Sequence, residues 1–181
     1  GANAGLFTRQ VLIASSGISH AYCFEPNKAN CQLIAKNLEG FPNFSIYEYG
    51  LSDRDGTSDF MVDMGNSGNL SINESAMLGR DYLVGRVELK RPDITKPPFE
   101  TIMQNHDTLV YKSDTQGFDE AIFTFLGLEF WKKVECALIE IYRIPDKQVE
   151  YERMEEIIQA CFTKIYSVNR RSFISFEELR E

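Results

Sequence analysis

Apolar and polar positions along this chain keep switching between helical and strand periods. Leu6 to Ala14 (LFTRQVLIA) repeats at helical spacing after a glycine-rich start and stops at Ser15-Ser16-Gly17. Ala21-Tyr22-Cys23-Phe24-Glu25 is a short continuous apolar run closed by an acid, the pattern of a buried parallel strand. Pro26 fits the first turn of a helix running to about Asn37, with Gly40 and Pro42 as stop signals. Phe44 to Tyr49 alternates as a strand, and Gly50-Leu51-Ser52-Asp53 leads out of it.

The middle of the chain loses this rhythm. Ser58 to Met64 reads as an extra strand or hairpin arm, and Gly65 to about Gly85 is rich in Gly, Asn and Ser. Val87 to Lys90 reads as an edge strand closed off by Pro92, Pro97 and Pro98. The region around 58–98 is therefore an inserted loop or hairpin. A loop of this length is a functional lid or a partly disordered segment. Alternation returns at Leu109-Val110-Tyr111, a strand core ending in Lys112-Ser113-Asp114. Gly117 to Leu126 reads as a helix, Val134 to Ile141 as a strand and Val149 to Phe162 as an amphipathic helix. Ile165 to Val168 and Phe173 to Phe176 pair as a closing hairpin. Strands alternating with helices of ten or more residues imply βαβ units, hence an α/β fold with a doubly wound, mostly parallel, Rossmann-like sheet. The 181 residues suit a single domain spanning 1–181.

Charge and cysteine usage narrow the partners. The net charge of −8 argues against nucleic acid, whose phosphates reward basic surfaces. Cys23, Cys31, Cys136 and Cys161 show no metal-ligand spacing, and Cys23 and Cys136 lie in apolar strand-like runs. A reducing, cytoplasmic compartment fits them better than a disulfide scaffold. No apolar stretch approaches the roughly 20 residues of a membrane span, and no signal peptide is visible. Asn43, Asn69 and Asn73 begin Asn-x-Ser triplets that matter only in a secreted protein.

Ligands of open α/β sheets sit outside the carboxyl ends of the strands, and that rule sorts the polar residues. Glu25, Asp53, Asp114 and Glu140 fall at or near such ends, whereas His20 and His106 precede their strands and read as structural. Gly1-Ala2-Asn3-Ala4-Gly5 stands twenty positions before Glu25, the spacing of a tight turn that admits a nucleotide and an acid that accepts its ribose hydroxyls. Glu25 also suits a helix N-terminus, where the dipole favours an acid. Asn3 either supports the turn or lines the ligand. Asp53 forms a turn with Gly56 or contacts the far end of the ligand. Asp114 caps a turn or faces the chemistry, and the N–H groups of Gln116 and Gly117 open the next helix, where they can hold a ligand oxygen. The segment 65–69 is a gate or a mobile surface loop. Asp114 and Asp119 alone do not make a metal site.

Positions 1, 3 and 6 read Gly, Asn and Leu, so the third glycine that serves a pyrophosphate is missing. That lowers NAD or FAD and favours a ligand with a ribose and no phosphates, such as S-adenosylmethionine. The chain resembles the FkbM-type S-adenosylmethionine-dependent methyltransferases. The likeness rests on Gly-Ala-Asn-Ala-Gly (1–5), Phe-Glu-Pro-Asn (24–27), Leu-Ser-Asp-Arg-Asp-Gly (51–56) and Val-Glu-Leu (87–89). It continues in Lys-Ser-Asp-Thr-Gln-Gly-Phe-Asp (112–119) and Ala-Leu-Ile-Glu-Ile (137–141), in the family's order over roughly residues 1–145.

This resemblance implies a class I methyltransferase fold in which Gly1, Asn3 and Gly5 line the methionine part of the cofactor. Glu25 would bind the ribose, with Asn27 beside it, and Ser52 and Asp53 would lie near the adenine. Asp114 matches the aspartate beside the reactive methyl group. The implied reaction is O-methylation of a hydroxyl on a sugar, glycolipid or polyketide-type small molecule. Asp114 is then the general base or the orienting acceptor, with Glu140 the reserve candidate. Two departures stand out. A first strand, and the acid expected before Gly-Ala-Asn, are not in the sequence, so an incomplete N-terminus is expected. The family's Asp-x-Glu-Gly reads Asp114-Thr115-Gln116-Gly117. That amide favours a non-catalytic binding domain as the rival reading, with an NAD-dependent oxidoreductase third.

Overall fold

The computed structural model of the chain describes residues 1–63, 70–71, 82–141 and 148–175. The segment 65–69, with Asn69, and the triplet beginning at Asn73 lie outside the described residues, as do Met64 and Phe176. The chain divides into two compact units, one of Gly1–Arg91 with Ser113–Asp119, the other of Pro92–Lys112 with Glu120–Glu181.

The first unit begins with the turn Gly1–Gly5, in which Asn3 (φ 51°) and Gly5 (φ 76°) take left-handed backbone. A helix, α1 (Leu6–Ala14), follows, then β1 (Ala21–Phe24), α2 (Lys28–Asn37) and β2 (Phe44–Tyr47). β1 and β2 pair in parallel, Ala21 opposite Phe44 and Phe24 opposite Tyr47, so the stretch is one βαβ unit. Asn27 caps α2 by accepting from the Ala29 N–H at 2.9 Å, so the helix starts one residue beyond the Pro26-Asn27 pair. Cys23, Ile34 and Leu38 form the core between helix and strands, with Ala2, Leu12, Phe41, Phe44 and Ile46 packed on it.

β3 (Gly50–Leu51), β4 (Gly56–Asp63), β5 (Leu70–Ser71) and β6 (Tyr82–Lys90) make a four-stranded sheet in the order β3-β6-β4-β5. The edge-strand reading of Val87 to Lys90 is corrected here. β6 starts at Tyr82 and pairs on both sides, antiparallel to β4 and parallel to β3. Its alternate residues Val87 and Leu89 turn inward onto Phe60. Gly85 has no side chain because the Phe60 ring lies over its Cα.

The second unit carries α3 (Phe99–Asn105), β7 (Leu109–Ser113, whose last residue belongs to the first unit), α4 (Asp119–Trp131) and β8 (Val134–Ile139). It ends with α5 (Gln148–Cys161) and an antiparallel pair, β9 (Ile165–Ser167) and β10 (Ser172–Ile174). β7 and β8 are hydrogen-bonded neighbours. Trp131 is wholly buried, stacked on Phe123 at 3.8 Å and edge-on to Tyr111, Phe130 and Phe162. Its indole N–H donates to the Phe123 carbonyl at 2.7 Å.

The architecture is mixed α/β, with five helices and small sheets that include parallel pairs among the described residues. The expected single, doubly wound sheet is not what the described strands form. They pair into four separate sheets, because Gly50–Leu51 leaves β2 to pair with β6 and the long β4–β6 ladder builds a sheet of its own. The strand expected over Val134 to Ile141 forms as β8 over Val134–Ile139, with Cys136 exposed and Leu138 41% exposed. No described helix is long and apolar enough to cross a membrane.

Candidate functional site

The first unit gathers the glycine turn, Glu25 and Asp114. Glu25 follows β1, where its backbone N–H donates to the Tyr47 carbonyl at 3.1 Å and holds it at the carboxyl end of the parallel pair. Its side chain is buried, with the residue 3% exposed, and its carboxylate is satisfied from three directions. Oε2 accepts the Asn3 N–H at 2.7 Å. Oε1 accepts the Asn27 N–H at 3.1 Å and an Asn30 side-chain N–H at 3.3 Å. A buried carboxylate needs such donors.

The turn is fixed from both sides. Asn3 Oδ1 accepts the Ala4 N–H at 2.7 Å, and Asn37 Nδ2 donates to the Ala4 carbonyl at 2.8 Å. A Cβ on Gly5 would stand 3.2 Å from the Ile34 Cα, so the turn lies against α2. A Cβ on Gly1 would overlap the carbonyl oxygen of Asp114. Only glycine lets the turn come this close to the residues after β7.

Asp114 sits in the bend between β7 and α4, its Oδ1 accepting from Gln116 Nε2 at 3.0 Å. Gln116 (φ 56°) and Gly117 (φ 106°) are both left-handed, so they belong to the bend. The expectation that they open the helix is corrected: α4 starts at Asp119. Asp119, 1% exposed, accepts the Ser113 hydroxyl and the Thr115 N–H, clasping the residues on either side of Asp114. Thr115 Oγ1 is buried and has no hydrogen-bond partner among the described residues.

The other expected site residues are placed differently. Ser52 is fully buried, its hydroxyl donating to the Arg54 carbonyl at 2.7 Å and accepting the Arg54 N–H at 3.2 Å. Asp53 beside it is exposed and pairs with Arg54 at 3.3 Å. Glu140 follows β8 in the second unit, whereas the rest of the set belongs to the first. His20 Nε2 lies 3.0 Å from the Ser45 hydroxyl, and the His106 N–H caps α3 through the Ile102 carbonyl. No cluster of three or more His, Cys, Asp or Glu side chains suited to a metal ion occurs among the described residues.

Sequence reasoning missed Asn30, Cys31, Asn37, Ser113 and Asp119. Asn27, Asn30, Ile34 and Asn37 recur at helical spacing, a signal that one face of α2 serves both the turn and Glu25. The Cys31 thiol donates to the Glu25 carbonyl at 3.2 Å. Burial, then the Glu25 and Glu48 charges, push it up to about 11, which keeps it protonated and unreactive at neutral pH.

The arrangement offers one acid held inside the protein at a strand end, a second acid in the bend after β7, and a turn with glycine at both ends that touches both. No known family model matches the chain, and no characterised protein or solved structure matches it either.

Proposed function

We propose that the chain is an S-adenosylmethionine-dependent methyltransferase that O-methylates a hydroxyl of a sugar, glycolipid or polyketide-type small molecule in the cytoplasm. The observation that carries this reading is the five-residue turn that bonds Glu25 through Asn3 and packs Gly1 on the Asp114 carbonyl. The motif resemblance and the absence of a third glycine support the same ligand.

The residues fit an adenosyl group. Gly1 and Gly5 let main chain approach closely, Glu25 keeps an acceptor direction on Oε2, and the buried Thr115 hydroxyl beside Asp114 is a donor awaiting a partner. Gly1, Asn3 and Gly5 would border the methionine part, Glu25 and Asn27 the ribose, and Asp53 the adenine side, with Ser52 holding that bend. The cofactor supplies an electrophilic methyl group. The protein's share is to position the acceptor hydroxyl, exclude water and take the hydroxyl proton. Asp114 is the base that takes it. The Gln116 amide holds that carboxylate by donating to Oδ1, without placing a second negative charge beside it. General-base assistance of this kind contributes on the order of 10²–10⁴-fold.

Calorimetry with S-adenosylhomocysteine against NADH separates the cofactor classes, and binding of NADH alone would refute the proposal. Asp114→Asn should keep S-adenosylhomocysteine binding and lose about 10²–10⁴-fold in methyl transfer. Near-normal turnover in that variant would remove Asp114 from the role. The second reading, a binding domain without chemistry, is favoured by Gln116 standing where the family has an acid. Homocysteine-form binding with no methyl transfer to any hydroxyl acceptor would select it.

A further inference from the structure

We infer that a ligand ribose is shared between Glu25 and Asn30, with Glu25 Oε2 accepting one hydroxyl of the cis-diol and the Asn30 carboxamide oxygen accepting the other. The inference rests on the adenosyl reading of the site and goes beyond it, since the sequence pattern gives both hydroxyls to the acid alone. A carboxylate has about four acceptor directions. Three of those on Glu25 are taken by Asn3 N–H, Asn27 N–H and Asn30 Nδ2–H. The first two donors are main-chain groups of the turn and of the α2 cap, and displacing them would cost the turn and the cap their bonds to the acid. One direction remains, on Oε2, and a cis-diol brings two donors.

Asn30 is the neighbour able to serve the second. Its bond to Glu25 is its only side-chain polar contact among the described residues. A carboxylate can only accept, so the amide must turn its nitrogen to Glu25 and carry its oxygen away from it. Asn30 is half-buried while Glu25 is buried, so Asn30 is the more exposed residue of the pair. The other amides of this face are committed, Asn27 to the Ala29 N–H and Asn37 to the Ala4 carbonyl.

The test is calorimetry of the full chain and its Asn30→Ala variant with S-adenosylhomocysteine and its 2′-deoxy and 3′-deoxy analogues. Alanine suits a helix position, circular dichroism checks the fold, and Asn30→Ser repeats the comparison if alanine weakens it. Each analogue should bind the parent chain about three- to tenfold more weakly than the full ligand, the loss of one hydrogen bond. Asn30→Ala should weaken the full ligand by a similar factor yet leave one deoxy analogue bound as tightly as by the parent chain. Equal weakening of all three ligands would show that Asn30 only orients Glu25, and no weakening of any would show that it does neither; both overturn the inference and leave the adenosyl reading intact. Failure of the parent chain to bind S-adenosylhomocysteine overturns both together.

Discussion

Replacing Glu25 by glutamine tests whether the internal bonds of that carboxylate hold the turn in place. The carboxylate receives a bond on Oε2 from Asn3 and two on Oε1 from Asn27 and Asn30. Glutamine has one oxygen. Turned to keep the Asn27 and Asn30 bonds, it aims its NH2 at the Asn3 N–H, now 2.7 Å from Oε2. Turned the other way, it faces two donors. Either choice leaves at least one part-buried donor without its acceptor, about 1–3 kcal/mol. The surviving bonds also lose charge assistance, roughly half their strength. We therefore expect Glu25→Gln to cost about 3 kcal/mol, a large part of the 5–15 kcal/mol typical of a domain. That corresponds to a fall in Tm of about 6–12 °C for a chain of this size. Urea unfolding followed by far-UV circular dichroism, with the slope unchanged, measures it. A loss below about 1 kcal/mol would refute the argument, because the three short contacts would then contribute little to holding the turn.

Three further outcomes follow from the packing. Lys133 Nζ donates to the Met103 and His106 carbonyls at 2.7 and 2.8 Å, at the carboxyl end of α3. Lys133→Met should cost about 2 kcal/mol, read by the fluorescence of the single, buried Trp131, while Lys132→Met in its exposed pair with Glu129 should change nothing measurable; equal effects would sink the capping role. Gly85→Ala should cost about 1–3 kcal/mol through collision with the Phe60 ring and be rescued by Phe60→Leu; a neutral Gly85→Ala would exclude that contact. Burial, then Tyr47 and Glu88, push the Tyr49 phenol up to about 12, so its contribution to stability is full below pH 10 and is lost as the pH rises through 12. Tyr49→Phe should delete one phenolate step near pH 12 at 295 nm, and an unaltered alkaline titration would reject the assignment.

Local pattern was enough where local rules decide. The αβ alternation from Leu6 to Tyr47 was legible because caps and breakers agreed with periodicity, and α5 matched its amphipathic repeat to within a residue at each end. α3 was missed because Pro92, Pro97 and Pro98 read as breakers, yet a helix begins directly after Pro98, which serves as its N-cap residue. The length of β6 was missed because Gly85 interrupts the alternation, and its reason, the Phe60 ring, lies on another strand. The spacing of Glu25 from the turn was readable, but its donors were not. Main-chain N–H groups carry no sequence signature, and Asn30 comes into view only once α2 is set against β1. At Asp114 the motif was visible, whereas the clasp by Asp119 depends on two left-handed residues between them.

The chain does not finish one unit before starting the other. It leaves the first after Arg91, returns for the seven residues Ser113–Asp119, and departs again. No single cut can therefore release the first unit with its second acid attached, and a protease nick near Arg91 would sever the Gly1 turn from the covalent support of Asp114.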